Sequence, residues 1–405
     1  MDSGRRRDRR VVHEAVAGSE GRPADMRSPT LTAMAMLTSI AAATGPASAD
    51  QPSMFLGPDE IAEIRSRIDA GDEPWTSVFH ALHADAEGFL DLDPQPVEGR
   101  YLYTDPIGHL GTEAELSHPQ RMHRDSHIVR DLGLAYAFTG DERFARKAAQ
   151  FVRAWVESME PLWPFDRPSP GVEAFDSTLP AMFYGFDLIA GSEARTDELE
   201  QAMAEWAGAI SEQCKLRHYT TGTADTTGWN MTLIAAASVV AGKPEDRNFV
   251  WGETENQDTF QSMMYLLFEK GGKVNPEVGA GSRYRGEDVF VALRRIKTYV
   301  YVAEIARHHG VDLYNWQRDG RGLRPSLTAY APYFNGEISL PGIGGFPLGR
   351  DADAWVFEVA NTRWPDIVFE QVVEYLDRPG YDMDILGPVG LTHRYRGGGE
   401  ALEGE

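Results

Sequence analysis

The chain has 405 residues, 62 Asp and Glu against 39 Lys and Arg, a single cysteine (Cys214) and 42% hydrophobic content, which fits a soluble globular protein of one or two domains. A formal charge of −23 excludes a general nucleic-acid binder, because affinity for phosphate needs a basic face. One cysteine excludes an intramolecular disulfide and any multi-cysteine metal site.

Residues 26–49 run from a Met-Arg start through an apolar stretch, Leu31 to Ala43, to a Gly45-Pro46 break and the triplet Ala47-Ser48-Ala49. That order predicts a secretory signal peptide cleaved after Ala49, and the apolar run is too short to span a bilayer. The competing reading is a buried Ala-rich helix. Residues 1–25, with Arg5, Arg6, Arg7, Arg9 and Arg10, are polar and read as an upstream start or a leader expected to be disordered. Loss of residues 1–49 removes a charge of +2 and leaves the mature chain at −25. The chain then divides into leader and signal peptide (1–49), one catalytic-sized domain (50–395) and a Gly-rich tail (396–405) expected to be disordered.

From residue 50 onward helices dominate. Leu56-Gly57-Pro58-Asp59-Glu60 opens the first, with Pro in the first turn and acids at the positive end of the dipole. Ile128, Leu132, Ala135 and Tyr136 form an apolar stripe that stops at Gly140, and Asp141 caps a helix with Phe144, Ala148, Phe151 and Trp155 on one face. Cys214 falls in a helix capped by Thr196 and striped by Leu199, Met203, Trp206 and Ile210, where it reads as a small buried residue. Further helices are expected over 230–241, 259–269, 288–309 and 355–375. Between them lie long loops rich in Gly, Pro and aromatics at 94–119, 161–176 and 271–286; loops of that length are usually functional. Helical hairpins with one amphipathic and one more apolar partner predict an all-α fold, an (α/α) toroid or incomplete α/α barrel. A helical solenoid is the competitor, but no fixed-period repeat is present.

Three constellations carry chemistry. His118 to His127 puts three His and two Arg, including His123, Arg124 and His127, where a loop feeds a helix N-terminus, a good place for an anionic ligand. His123 and His127 are four apart and share a helical face, but a metal is not expected, since no Glu of a zincin motif accompanies them. A solvated helix start is the alternative. The second, Asp225 to Thr232, places Trp229-Asn230 at the mouth of an apolar helix, so that Asn230 is either an N-cap or an amide aimed into a cleft. The third, Gly271 to Asp288, sets Tyr284 between Arg283 and Arg285: Arg binds carboxylates bidentately, and a nearby cation lowers a tyrosine pKa. A surface loop pairing Arg with Glu287 and Asp288 is its alternative. Tyr101, Tyr103, Trp163 and Trp316 sit in expected loops where they are able to stack on sugar rings, whereas Trp155 and Trp206 are at core spacing.

With these motifs in place, the sequence resembles the alginate lyase superfamily of polysaccharide lyases over most of residues 120–395. The strongest stretch is Leu134-Ala135-Tyr136-Ala137-Phe138-Thr139-Gly140-Asp141-Glu142-Arg143-Phe144-Ala145; Trp229-Asn230, Ala303-Glu304-Ile305-Ala306, Gly310 to Tyr314 and Gly390-Leu391-Thr392-His393 support it. The resemblance implies an (α/α) toroid and β-elimination on uronic-acid polymers, without a cofactor. It further implies Asn230 as neutraliser of the substrate carboxylate, Tyr284 as base or acid, Arg283 or Arg285 as carboxylate clamp, and His123 or His127 as a second proton-transfer group. Arg124, Trp229, Glu277 and Tyr103 complete the expected substrate-binding set. The chain departs from the family where Thr227-Gly228 precede Trp229-Asn230 in place of a doubled Asn or Asn-His, and where Val289-Phe290-Val291 stand in place of a His.

Two rivals remain. A toroid glycoside hydrolase needs two carboxylates flanking the bond, available from Asp176, Asp225, Glu277 and Asp288; a glycan-binding toroid needs no chemistry at all. The expected partner is an anionic polysaccharide, which a shell at −25 repels, so the lyase reading also requires a local basic groove. Arg121, Arg124, Arg283, Arg285, Arg294, Arg295 and Lys297 are its candidates.

Overall fold

The computed structural model describes residues 51–101, 116–161, 170–218, 224–252, 259–275, 289–338, 354–376, 382–383 and 385–394. The expected signal peptide, Tyr103, the Glu277 to Asp288 loop with Arg283, Tyr284 and Arg285, and the tail all lie outside these residues. The helices are α1 (Pro58–Ala70), α2 (Trp75–Phe89), α3 (His118–Thr139), α4 (Glu142–Ser158), α5 (Pro170–Leu188), α6 (Asp197–His218), α7 (Ala224–Val240), α8 (Pro244–Trp251), α9 (Phe260–Leu267), α10 (Val289–His308), α11 (Leu323–Phe334), α12 (Trp355–Arg363), α13 (Ile367–Tyr375) and α14 (Val389–Thr392). The strands β1 (Asp382–Met383) and β2 (Gly387–Pro388) form one short antiparallel pair.

Local chemistry sets most boundaries. Gly57 precedes α1 and its N–H donates to Glu60 Oε2 at 2.9 Å; Ser117 N–H does the same to Gln120 Oε1 ahead of α3. Gly140, at φ 72°, ends α3, and Asp141 accepts from Arg143 N–H to start α4. Three expectations need correction. α5 begins at Pro170, inside the segment read as a loop, because proline suits a helix's first turn. The helix expected over 355–375 is two, broken at Trp364-Pro365, with Asp366 capping α13 through Val368 N–H. And α7 begins at Ala224, six residues before Asn230.

The helices fall into an inner and an outer set. α7 is buried without interruption from Thr227 to Ser238, and the buried residues of α10 likewise run round the helix. α4 shows the opposite pattern, a buried stripe of Phe144, Ala148, Phe151 and Trp155 against an exposed polar face. The inner helices pack in the order α3, α5, α7, α10. α12 joins α10 through the Tyr301–Trp355 ring contact at 4.9 Å and the Glu304–Arg363 ion pair, while α14 packs between α12 and α2 and β2 lies against α3. The succession of hairpins closes into an (α/α) toroid.

Glycines make the closest inner contacts possible. A Cβ on Gly185 would lie 2.3 Å from the Val129 carbonyl oxygen, and one on Gly133 would lie 2.7 Å from that of Gly185, so α3 and α5 touch backbone to backbone. Across the ring interior Phe55 meets Tyr184 at 5.0 Å and Tyr301 at 6.0 Å, and Tyr301 meets Trp229 at 6.1 Å. This aromatic layer ties α5, α7, α10 and α12 to the segment that precedes α1.

Candidate active site

On α3 the two histidines face each other as their spacing requires, with ring centroids 4.0 Å apart and planes at 46°. His123 is exposed, while His127 is half-buried one turn further in. Burial is the main cause that lowers the His127 pKa to about 2, assisted by Arg130 and then His123. His127 is therefore a neutral imidazole, suited to accepting or donating a hydrogen bond and unsuited to service as a cation. Arg124, expected to greet an anionic ligand, is already engaged: its Nη1 donates to Asp125 Oδ1 at 2.6 Å and to the Asp93 carbonyl at 3.2 Å. Asp125 is fully buried and also accepts from Gln95 N–H at 2.7 Å and Trp155 Nε1–H at 2.8 Å. Arg124 thus helps anchor the start of α3 to α4 and to the 93–95 segment.

On α7 the structure decides between the two readings of Asn230. The residue lies at the end of the second helical turn and is 2% exposed, so it is not an N-cap; its amide belongs to the toroid interior. Trp229 beside it is 3% exposed, with the Lys297 ammonium over its ring at 5.0 Å and Tyr301 on another side. Trp229 is thus packed in the interior between Lys297 and Tyr301. The place of this unit is set by Gly228, whose Cβ, if it had one, would lie 2.1 Å from Thr298 Oγ1 on α10. One turn later Thr232 Oγ1 donates to the Gly228 carbonyl at 3.0 Å and lies 3.3 Å from that of Thr298. Thr227-Gly228, a departure from the family pattern, is therefore what lets α7 approach α10.

The expected residues that are described occupy two places: His123, Arg124 and His127 on α3, and Trp229 with Asn230 on α7. α5 packs between those helices. Tyr103, Glu277, Arg283, Tyr284 and Arg285 lie outside the described residues. Of the hydrolase candidates, Asp176 is fully buried on α5, and the side chains of Asp225, Glu277 and Asp288 are outside the described set. Tyr101 corrects the loop-aromatic expectation: it is fully buried against Phe175 at 5.2 Å and His118 at 6.0 Å. Trp316 is half-buried with its ring 6.3 Å from Phe260.

Two residues gain weight that the sequence did not give them. Lys297 was one basic residue among several; the structure buries it against Trp229. Glu304, part of a structural motif, is the centre of a buried ionic network. It accepts from Arg363 Nε and Nη2 at 2.8 Å each, from Arg307 Nη2 at 3.0 Å and from the Tyr314 hydroxyl at 2.6 Å, and His393 Nε2 stands 3.9 Å away. Arg307 continues to Glu60 at 2.8 Å, which also meets His308 at 2.8 Å. Burial opposes the Glu304 charge, yet the cations hold its carboxyl far below the usual range. The motif segments 303–306 and 310–314 meet the distant segment 390–393 at this one carboxylate.

Residues 92–263 match the family model described as alginate lyase. Among solved structures, the chain is similar to an alginate lyase from Bacteroides ovatus, with 17% identity over 85% of this chain and 100% of that one and a TM-score of 0.64. It is also similar to alginate lyase A1-III from Sphingomonas species A1, with 13% identity over 80% and 92% of the two chains and a TM-score of 0.57. A Tyr-to-Phe variant of alginate lyase A1-III, complexed with a tetrasaccharide, matches at 14% identity over 78% and 90%, again with a TM-score of 0.57. No curated protein matches the chain.

Proposed function

We propose that this chain belongs to the alginate lyase superfamily and is an exported polysaccharide lyase that cleaves a uronic-acid polymer such as alginate or a glucuronan by β-elimination. The observation that carries this reading is Asn230, a buried amide within an inner helix, flanked by Trp229 and Met231 and spending nothing on helix capping. An amide N–H is a donor of the right chemistry for a uronate carboxylate.

The chemistry assigns the roles. The C5 proton of a uronate is weakly acidic while its carboxylate is charged, so a donor such as the Asn230 amide must stabilise the dianionic aci-carboxylate that forms when the proton leaves. A base takes the C5 proton, the electron pair closes a C4–C5 double bond, and the C4–O4 bond breaks as O4 takes a proton from an acid. Tyr284 is assigned to one or both proton transfers and Arg283 or Arg285 to the carboxylate, on the resemblance. His127, held neutral, serves as a hydrogen-bonding group beside the reacting sugar, and His123 is the exposed member of the pair. Export rests on the pattern of residues 26–49, and removal of that segment leaves the chain at −25.

The test is a spectrum. Incubation with alginate or a glucuronan should raise the ultraviolet absorbance of a conjugated 4,5-unsaturated uronate. A flat trace over a panel of polyuronates would sink the reading.

A further inference from the structure

We infer that Tyr265, Lys270, Lys273, Arg318 and Arg321 form an anchoring site for an anionic polysaccharide, which holds a stretch of the polymer without taking part in its cleavage. The inference rests on the lyase reading above for the class of polymer and goes beyond it in the residues. All five follow the segment 92–263 that matches the family model, and none carries a role by resemblance.

The site is built on two turns fastened together. In one, Arg318 N–H donates to the Arg321 carbonyl at 3.0 Å and Arg321 N–H to that of Arg318 at 2.9 Å, with Asp319 at φ 51° and Gly320 at φ 73° between them. In the other, Glu269 N–H donates to the Lys273 carbonyl at 2.7 Å and Gly272 N–H to that of Glu269 at 2.9 Å. Gly271 N–H reaches the Gly320 carbonyl at 3.1 Å and joins the two. A Cβ on Gly320 would lie 3.2 Å from the Lys270 side chain, and one on Gly272 would lie 2.1 Å from the Pro325 carbonyl oxygen. The backbone is thus set before a ligand arrives, and binding has little left to order.

This frame presents cations. The guanidinium carbons of Arg318 and Arg321 each lie 4.5 Å from the ring centroid of Tyr265, which is 37% exposed in the last turn of α9. Arg321 is half-buried and uses Nε on the Phe268 carbonyl at 2.7 Å, while Arg318, Lys270 and Lys273 are exposed. Among the described residues none of these four cations forms an ion pair, whereas Arg324, three residues further on, meets Asp366 at 3.2 Å. Two carboxylates, Glu269 and Asp319, share the turns, so the surface is net basic on a chain at −23. A guanidinium stacked on an aromatic ring keeps its planar N–H fork in a fixed orientation, and such a fork takes a carboxylate bidentately. Two forks and two ammonium groups on one frame match a polymer with a carboxylate on successive sugars, where weak contacts reinforce one another. Elsewhere the acidic surface repels a polyanion, and a basic site gives it a foothold.

The experiment compares the full-length protein with the double variant Arg318→Gln, Lys270→Gln; Arg321 stays because its Nε holds the Phe268 carbonyl. Electrophoresis through a native gel containing a polyuronate reads binding without catalysis. The wild type should bind about tenfold more tightly than the variant in low salt and equally in about 1 M salt, where the Debye length is ~3 Å. KM on the long polymer should rise about fivefold or more in the variant with kcat unchanged, and kcat/KM on a trisaccharide should change less than about twofold. Arg318→Lys with Lys270→Arg, which keeps both charges, should retain most of the binding. Equal retardation of wild type and double variant would overturn the inference, as would a loss of the same size in 1 M salt or in a gel of neutral polysaccharide. If the double variant does not fold, Arg318→Gln alone carries the comparison with the same outcomes. A wild type that is retarded, and a double variant that is not, would uphold this site even if no polyuronate yields unsaturated product, a result that refutes the lyase reading alone.

Discussion

Gly228 of α7 stands against Thr298 of α10 so closely that a methyl group on the glycine would overlap the threonine hydroxyl, at 2.1 Å from its oxygen. That contact sets the distance between the two inner helices that carry Asn230 and Lys297. Gly228→Ala must push them apart, because Thr298 is β-branched and has few rotamers to retreat into. The expected cost is about 1–3 kcal/mol of stability, with a matching fall in the denaturant midpoint. An unchanged midpoint would show that the contact does not set the spacing.

Asn230→Ala should lower kcat about 100- to 1,000-fold on a polyuronate with little change in KM, since its donor is needed most when the second charge develops. Asn230→Asp should be at least as damaging, because it sets a carboxylate against the substrate's own. A change confined to KM would reassign Asn230 to ground-state binding.

The His127 imidazole has a folded pKa of about 2, so it does not gain a proton anywhere between pH 5 and 8. Whatever acid limb the kcat/KM profile shows in that range belongs to another group, and His127→Gln should leave its position unchanged while lowering its height. An acid limb near pH 6.5 in the wild type that disappears in the variant would contradict this.

Asp187 gives a pH dependence of stability with the opposite sign from the usual carboxylate. Burial raises its pKa to about 6, although the N–H groups of Ser53 and Met54 each donate to Oδ2 at 2.9 Å. An unfolded aspartate titrates near 3.9, so the unfolded state releases its proton first as pH rises. The contribution is full below about pH 3.9 and is lost as pH rises through 6, a change on the order of 2–3 kcal/mol. Asp187→Asn keeps an acceptor for Ser53 and Met54 and should remove that part of the pH dependence from unfolding curves between pH 4 and 7. Parallel curves for the two proteins would contradict it.

Glu304→Gln leaves the half-buried Arg363 and Arg307 with half their counter-charge. The expected loss is about 3–5 kcal/mol, read as a lower midpoint in chemical unfolding. A variant as stable as the wild type would mean that solvent, and not this carboxylate, neutralises the arginines.

Much of the architecture was legible because it depends on local rules. Gly140, Asp141 and the four-three-four spacing of Phe144, Ala148, Phe151 and Trp155 specify an end, a start and a buried face without help from the rest of the chain. The misreadings came where tertiary contacts overrode such rules. The sequence leaves Asn230 open between a cap and an interior amide, and starts the helix only at 230, whereas α7 begins at Ala224 and Gly228 lies within it against Thr298 of α10. The apolar run 355–375 concealed the break that Pro365 imposes. Tyr101 reads as a loop aromatic open to solvent, and is buried because Phe175 and His118 come to it from other elements.

The candidate site was legible in its residue types and less so in their roles. The spacing of His123 and His127 foretold their contact, yet only burial beside Arg130 makes His127 neutral. Arg124 carried a positive charge in the sequence, and only the structure shows Asp125 taking it up. Lys297 gave a faint signal, one cation among several on α10, and its burial against Trp229 comes from another helix.

The central claim is elimination, and the most direct measurement follows the oxygen atoms. A polyuronate digested in heavy-oxygen water should yield oligomers that carry an unsaturated non-reducing end and no heavy oxygen from bond cleavage, as mass spectrometry of products quenched early would show. Saturated products with one heavy oxygen per broken bond would mean hydrolysis and would contradict the account.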